Sequence, residues 1–155
     1  MFTSRSSLWT HFNCEDEDQA HVYLERSKSL PVNLSLYTKD RLPPYHPFFK
    51  ILPHAIGRLG SLSIGVMPGD LQAIATNLSH PAPLLEKLSI CCDSGYDVHR
   101  NPVLTPALLN GDLPSLRKLR LECVRTELPW RNMVNLTSFR LLLRVIRRSH
   151  RQSAS

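Results

Sequence analysis

Four cations occupy matched positions in three short apolar segments. Lys87 lies in 85–90, Lys118 and Arg120 in 116–121, and Arg140 in 136–141. Each is the immediate neighbour of a leucine or a phenylalanine. In an extended backbone it therefore points away from that apolar side chain. Gathered ammonium and guanidinium groups bind carboxylates, lysine as a point charge and arginine through paired, directional hydrogen bonds. Glu122, two residues from Arg120, is an acid close by in sequence. The residues predict a patch for an acidic segment of a partner protein. A solvated polar face is the plain alternative, because surface lysines and arginines are common.

Other residue types that could do chemistry lack the spacing for it. The histidines at 11, 21, 46, 54, 80, 99 and 150 have no ligand-like spacing, and Cys14, Cys91, Cys92 and Cys123 form no C-x-x-C pair. No bound metal or cofactor is expected. Reduced thiols fit a cytoplasmic or nuclear protein. Cys91, with Lys87 nearby, is expected to be inert. Glu15, Asp16, Glu17 and Asp18 read as a solvated helix start rather than a cation site. Trp9 and Trp130 read as packing residues rather than platforms for bases. No nucleophile elbow, P-loop, dinucleotide fingerprint or zinc-hydrolase motif occurs, so the chain is not expected to be an enzyme.

One pattern recurs in the segments that carry these residues. L-x-x-[LF]-x-[LI] is formed by Leu59, Leu62 and Ile64, by Leu85, Leu88 and Ile90, by Leu116, Leu119 and Leu121, and by Leu136, Phe139 and Leu141. Leu34 and Leu36 after Val32 make a fifth copy, with Pro31 in first place. The middle residues at 34, 62, 88, 119 and 139 are 28, 26, 31 and 20 positions apart. Leucine-rich repeats run to roughly 20–29 residues. In a strand the last two apolar residues of each copy share a face, and no copy can bury that face alone. Alternating strands and helices also suit a doubly wound sheet. The repeated spacing favours an α/β leucine-rich-repeat-like solenoid, with a short parallel sheet of four or five strands and irregular helices on the convex side. The residues flanking each middle position are then Asn33 and Ser35, Ser61 and Ser63, Lys87 and Ser89, Lys118 and Arg120, and Ser138 and Arg140. They should line the concave surface.

Between the copies, residues 15–29 should form a helix with Ala20, Tyr23, Leu24 and Ser27 on one face. A second helix is expected from Asp70, as N-cap, to Leu78, with Leu71, Ile74 and Leu78 inward. His46 to Arg58 is a weaker helix, limited by Pro47 and Pro53. Thr105 and Pro106 should open a short helix, 92–103 should be a polar loop, and a turn is expected near Pro129 and Trp130. The domain reading is a leader over 1–14, a repeat domain over 15–143 and a basic tail over 144–155.

Charge is uneven. Of the net +6, Arg140, Arg144, Arg147, Arg148 and Arg151 supply most, with no acid among them. The tail could lie on a membrane surface or on nucleic-acid phosphates, and a frayed, solvated end is the simpler reading. Deleting 144–155 would separate a function of the repeats from one of the tail. No apolar run approaches the roughly 20 residues that span a bilayer.

The segments Ser7-Leu8-Trp9-Thr10 and Tyr23 to Leu34 resemble the region after the F-box in F-box/leucine-rich-repeat proteins of mushroom-forming fungi (basidiomycetes). Pro83 to Leu88, Leu113 to Leu119 and Leu128-Pro129-Trp130 match the same style, so the resemblance covers roughly 7–142. It implies the substrate-recognition repeats of a ubiquitin ligase. Six residues precede Ser7, too few for a three-helix F-box. The implied object is a fragment without its F-box, and binding of a Skp-type adaptor is not expected.

Overall fold

Each repeated apolar segment is a strand in the computed structural model, which describes residues 6–92, 103–104, 112–126 and 133–142. A 3-10 turn, Ser6–Trp9, leads into β1 (His11–Asn13), α1 (Glu17–Arg26), β2 (Val32–Tyr37) and α2 (Pro47–Ala55). A 3-10 turn over Ile56–Arg58 joins α2 to β3 (Leu59–Val66), which is followed by α3 (Pro68–Asn77) and β4 (Lys87–Cys92). Then come β5 (Val103–Leu104), β6 (Lys118–Glu122), β7 (Arg125–Thr126) and β8 (Ser138–Leu142). The architecture is α/β. Six strands pair in the order β1-β2-β3-β4-β6-β8, and every pair is parallel. β5 and β7 form a separate parallel pair.

The register aligns the repeat. Leu34 pairs with Leu62, Leu62 with Leu88, Leu88 with Leu119, and Leu119 with Phe139. A second row runs through Leu36, Ile64, Ile90, Leu121 and Leu141. From β2 to β6 both rows are buried, together with the leading leucines Leu59, Leu85 and Leu116. At β8 burial gives out: Phe139 is 44% exposed and Leu141 43%. β1 adds a strand that the repeat pattern does not contain. It places Phe12 beside Leu34.

One turn recurs ahead of three strands. Leu85 N donates to Ala82 O (3.2 Å), Leu116 N to Leu113 O (3.2 Å) and Leu136 N to Met133 O (3.4 Å). Pro83 and Pro114 occupy the second turn position, which their fixed φ suits. Turns are also tied to the preceding one. Ser115 Oγ donates to Pro83 O (2.6 Å) and Asn135 Nδ2 to Pro114 O (2.7 Å). Backbone bonds run the same way, from Arg117 N to Glu86 O (2.8 Å) and from Thr137 N to Arg117 O (2.9 Å).

The helices cover the apolar side of β1 to β4. Asp16 caps α1 by accepting from Gln19 N (3.1 Å), and Ala20, Leu24 and Ser27 are buried. α2 forms despite Pro53. Pro47 sits in its first turn, where an absent N–H costs nothing, and burial of Phe48, Ile51, Leu52 and Ala55 outweighs the bond lost at Pro53. α3 begins earlier than the Asp70 N-cap expected from the sequence. Met67 is the N-cap, because Pro68 is preorganised for the first turn. Asp70 lies one turn in, buried, and accepts the Leu42 N–H (2.8 Å). Residues 105–111 and 127–132, and nearly all of the 92–103 stretch, lie outside the described residues. Among the described residues, no helix is long and apolar enough to cross a membrane.

Two further polar side chains hold helix ends. Arg58 donates to Leu24 O (3.2 Å), Leu30 O (2.9 Å) and Ser27 Oγ (2.7 Å), closing the carbonyl end of α1. Arg58→Ala should lower unfolding stability by about 1–3 kcal/mol in urea titrations, and Arg58→Lys should recover little, because one ammonium cannot reach all three acceptors. His46 Nδ1 accepts from Phe48 N (3.1 Å) at the start of α2. Burial lowers its pKa from 6.5, against a smaller upward pull from Glu15. A protonated ring could not accept that bond. Stability from this group should therefore be complete above 6.5 and fall as pH drops from there through the lowered native value. His46→Asn, which retains an acceptor, should reduce the loss of melting temperature between about pH 6.5 and 5.

Candidate functional site

The polar face of the sheet follows from the buried one. Because side chains alternate, locking Leu34, Leu62, Leu88, Leu119 and Phe139 into a row also locks their neighbours. The first polar row is His11, Asn33, Ser61, Lys87, Lys118 and Ser138. The second is Asn13, Ser35, Ser63, Ser89, Arg120 and Arg140. All four cations singled out from the sequence lie in these rows, on neighbouring strands, and all are exposed. They share an open concavity of about 350 Å³ with Ser61, Ser63, Ser89 and Ser138.

The arrangement has an electrostatic signature. Lys87 faces Lys118 in register, and Arg120 faces Arg140. Parallel strands lie about 4.8 Å apart, well inside the Debye length of roughly 8 Å at physiological salt. Like charges placed directly opposite destabilise a sheet by a few tenths of a kcal/mol per pair. An anion seated between them removes that repulsion. Glu122 supplies internal counter-charge on this face, its Oε2 accepting from Arg120 Nη2 (3.4 Å).

The other candidates are dispersed. Asn33 Nδ2 donates to His11 Nε2 (3.0 Å), His21 lies 3.8 Å from Glu17 and edge-on to His54, and His46 serves the α2 cap. Glu17 of the acidic run meets Lys50 (3.2 Å), and Asp16 caps α1. No group of three or more histidine, cysteine or acidic side chains suited to a metal occurs among the described residues. Trp9 packs edge-on to Tyr23, with the Arg26 guanidinium over its ring at 4.5 Å. Trp130 and the arginines of 144–155 lie outside the described residues.

A third outward row escaped the sequence argument, which stopped at the residues flanking each middle leucine. It runs Tyr37, Gly65, Cys91, Glu122 and Leu142. The period-two rule applied one step further would have found it. Tyr37 is 62% exposed, its hydroxyl meets that of Ser63, and its ring lies across Gly65. A Cβ on Gly65 would sit 2.5 Å from Tyr37 Cδ1.

Comparison of the chain with protein-family models, curated proteins and solved structures finds no match.

All four cysteines are free. Burial pushes the thiols of Cys14 and Cys92 up to about 12, which leaves almost no thiolate at neutral pH. Cys91 is half-buried on the outward face. Iodoacetamide at about pH 8 should therefore alkylate Cys91 first, and Cys14 and Cys92 only on unfolding, as read by peptide mass spectrometry. Labelling of Cys14 in the native protein as fast as Cys91 would contradict this packing.

Proposed function

We propose that the chain is a short stack of irregular leucine-rich repeats acting as a protein-binding module, with Lys87, Lys118, Arg120 and Arg140 as the contact residues for an acidic segment of its partner. The observation that carries the proposal is the in-register convergence of these four side chains on one concavity. The repeated turn, the strictly parallel neighbour-to-neighbour strand order and the helices on the opposite side support the repeat assignment. On this reading the chain recognises rather than transforms its ligand, and it works without a cofactor. The resemblance to fungal F-box/leucine-rich-repeat proteins extends the proposal to substrate recognition for ubiquitin ligation, in the cytoplasm or the nucleus. The Skp-type adaptor would then be held by a part other than these repeats.

The test is charge reversal. Lys118→Glu with Arg120→Glu should weaken binding of a synthetic Asp/Glu-rich peptide by about tenfold or more at low salt. Circular dichroism should be unchanged and melting unchanged or slightly raised, since each new carboxylate would face Lys87 or Arg140. Equal binding by the double variant and the parent chain would remove the patch from consideration.

A further inference from the structure

The cationic rows adjoin a second open concavity of different character. It measures about 340 Å³ and is lined by Tyr37, Thr38, Lys39, Gly65, Val66 and Cys91. The Tyr37 ring lies across the backbone of Gly65 and is itself largely exposed. Cys91 separates it by one strand and one row from Arg120. Strand spacing and residue rise put Gly65 on the order of 14 Å from the middle of the Arg120–Arg140 pair, about four residues of extended peptide. Lysines and arginines supply anion contacts at one end, and an aromatic and a glycine supply flat apolar contact at the other.

We infer that this face takes one extended peptide carrying two Asp or Glu side chains and, about four residues away, an aromatic or large aliphatic side chain that rests against the Tyr37 ring where it crosses Gly65. The inference rests on the protein-binding reading above and adds the second contact. Two acids fit better than one concentrated dianion, because the cations form two pairs a row apart: Lys87 with Lys118, and Arg120 with Arg140. Rows on one face of a strand are about 6.8 Å apart. Charge also selects the source. The chain's own C-terminal stretch, 144–155, is arginine-rich and would be repelled. Glu122 lies between the two ends and holds one arm of Arg120, so it competes with an incoming carboxylate.

The experiment titrates labelled synthetic peptides into the full chain by fluorescence anisotropy. The reference peptide has two Asp separated by one Ser and a Phe four residues from the nearer Asp, with Gly/Ser elsewhere. The comparison peptides change Phe to Ala, both Asp to Asn, or lengthen the spacer to about ten residues. The parent chain should bind each of the three at least about fivefold more weakly than the reference. Tyr37→Ser should erase the Phe-over-Ala preference and keep the Asp-over-Asn preference, whereas Tyr37→Phe should keep both. Gly65→Val, whose Cβ would displace the Tyr37 ring, should match Tyr37→Ser, and Glu122→Gln should tighten the reference peptide. All three positions face outward, and circular dichroism checks that the sheet is intact. An Asp preference with no Phe preference, or a Phe preference that survives Tyr37→Ser, overturns the inference and leaves the acidic-segment reading standing. Binding indifferent to Asp, or no saturable binding of any peptide up to about 1 mM, overturns the inference. Of these two, indifference to Asp also removes the reading beneath it.

Discussion

Parallel, in-register stacking of one side-chain row is the constraint on which the rest of the molecule depends. Leu34, Leu62, Leu88 and Leu119 are each about 1% exposed and sit side by side across four strands. A one-residue slip on any strand would turn its leucine to water and bring a serine, lysine or arginine into the core. Losing a buried leucine side chain costs about 2–5 kcal/mol, so slipped arrangements are strongly disfavoured. The same period of two then settles the outer face without further expense. Whatever flanks the leucines must form rows as regular as theirs.

That coupling explains why like charges are tolerated opposite one another. Lys87 against Lys118 and Arg120 against Arg140 oppose folding by tenths of a kcal/mol in solvent, while the leucines behind them contribute several times more. The face can carry a charge pattern that is locally unfavourable because the apolar rows hold it there. Salt at physiological strength softens the repulsion, and Glu122 offsets part of it at Arg120.

Much of this was legible in the residues. The spacing L-x-x-L-x-L located β2, β3, β4, β6 and β8, and alternation about the middle residue located the four cations. The sheet is α/β and parallel as that spacing implied. What escaped lacked a periodic signal. β1 is three residues long, with Phe12 as its one buried side chain, so no pattern could mark it. The start of α3 was misplaced because a proline's preorganised first turn competed with an acidic residue that suits a cap, and the carboxylate of Asp70 was instead needed by the Leu42 amide across the fold. Pro53 argues locally against α2, a helix that tertiary burial stabilises. The apolar shelf depends on Tyr37 meeting Gly65 one strand away, a pairing that only the register reveals.

The turns give the stack a direction. Ser115 reaches back to Pro83 and Asn135 back to Pro114, and the leading amides of β6 and β8 likewise reach back to Glu86 and Arg117. Each layer is built on the one before it and lends these contacts to none earlier. Pulling on β8 would strip its own bonds and leave the preceding turn whole, whereas pulling on β1 would strain contacts that later layers rest on. A force applied at the β8 edge should therefore peel the molecule layer by layer, like pages from the back of a bound book. A force at the opposite edge meets the helices and the full weight of the core.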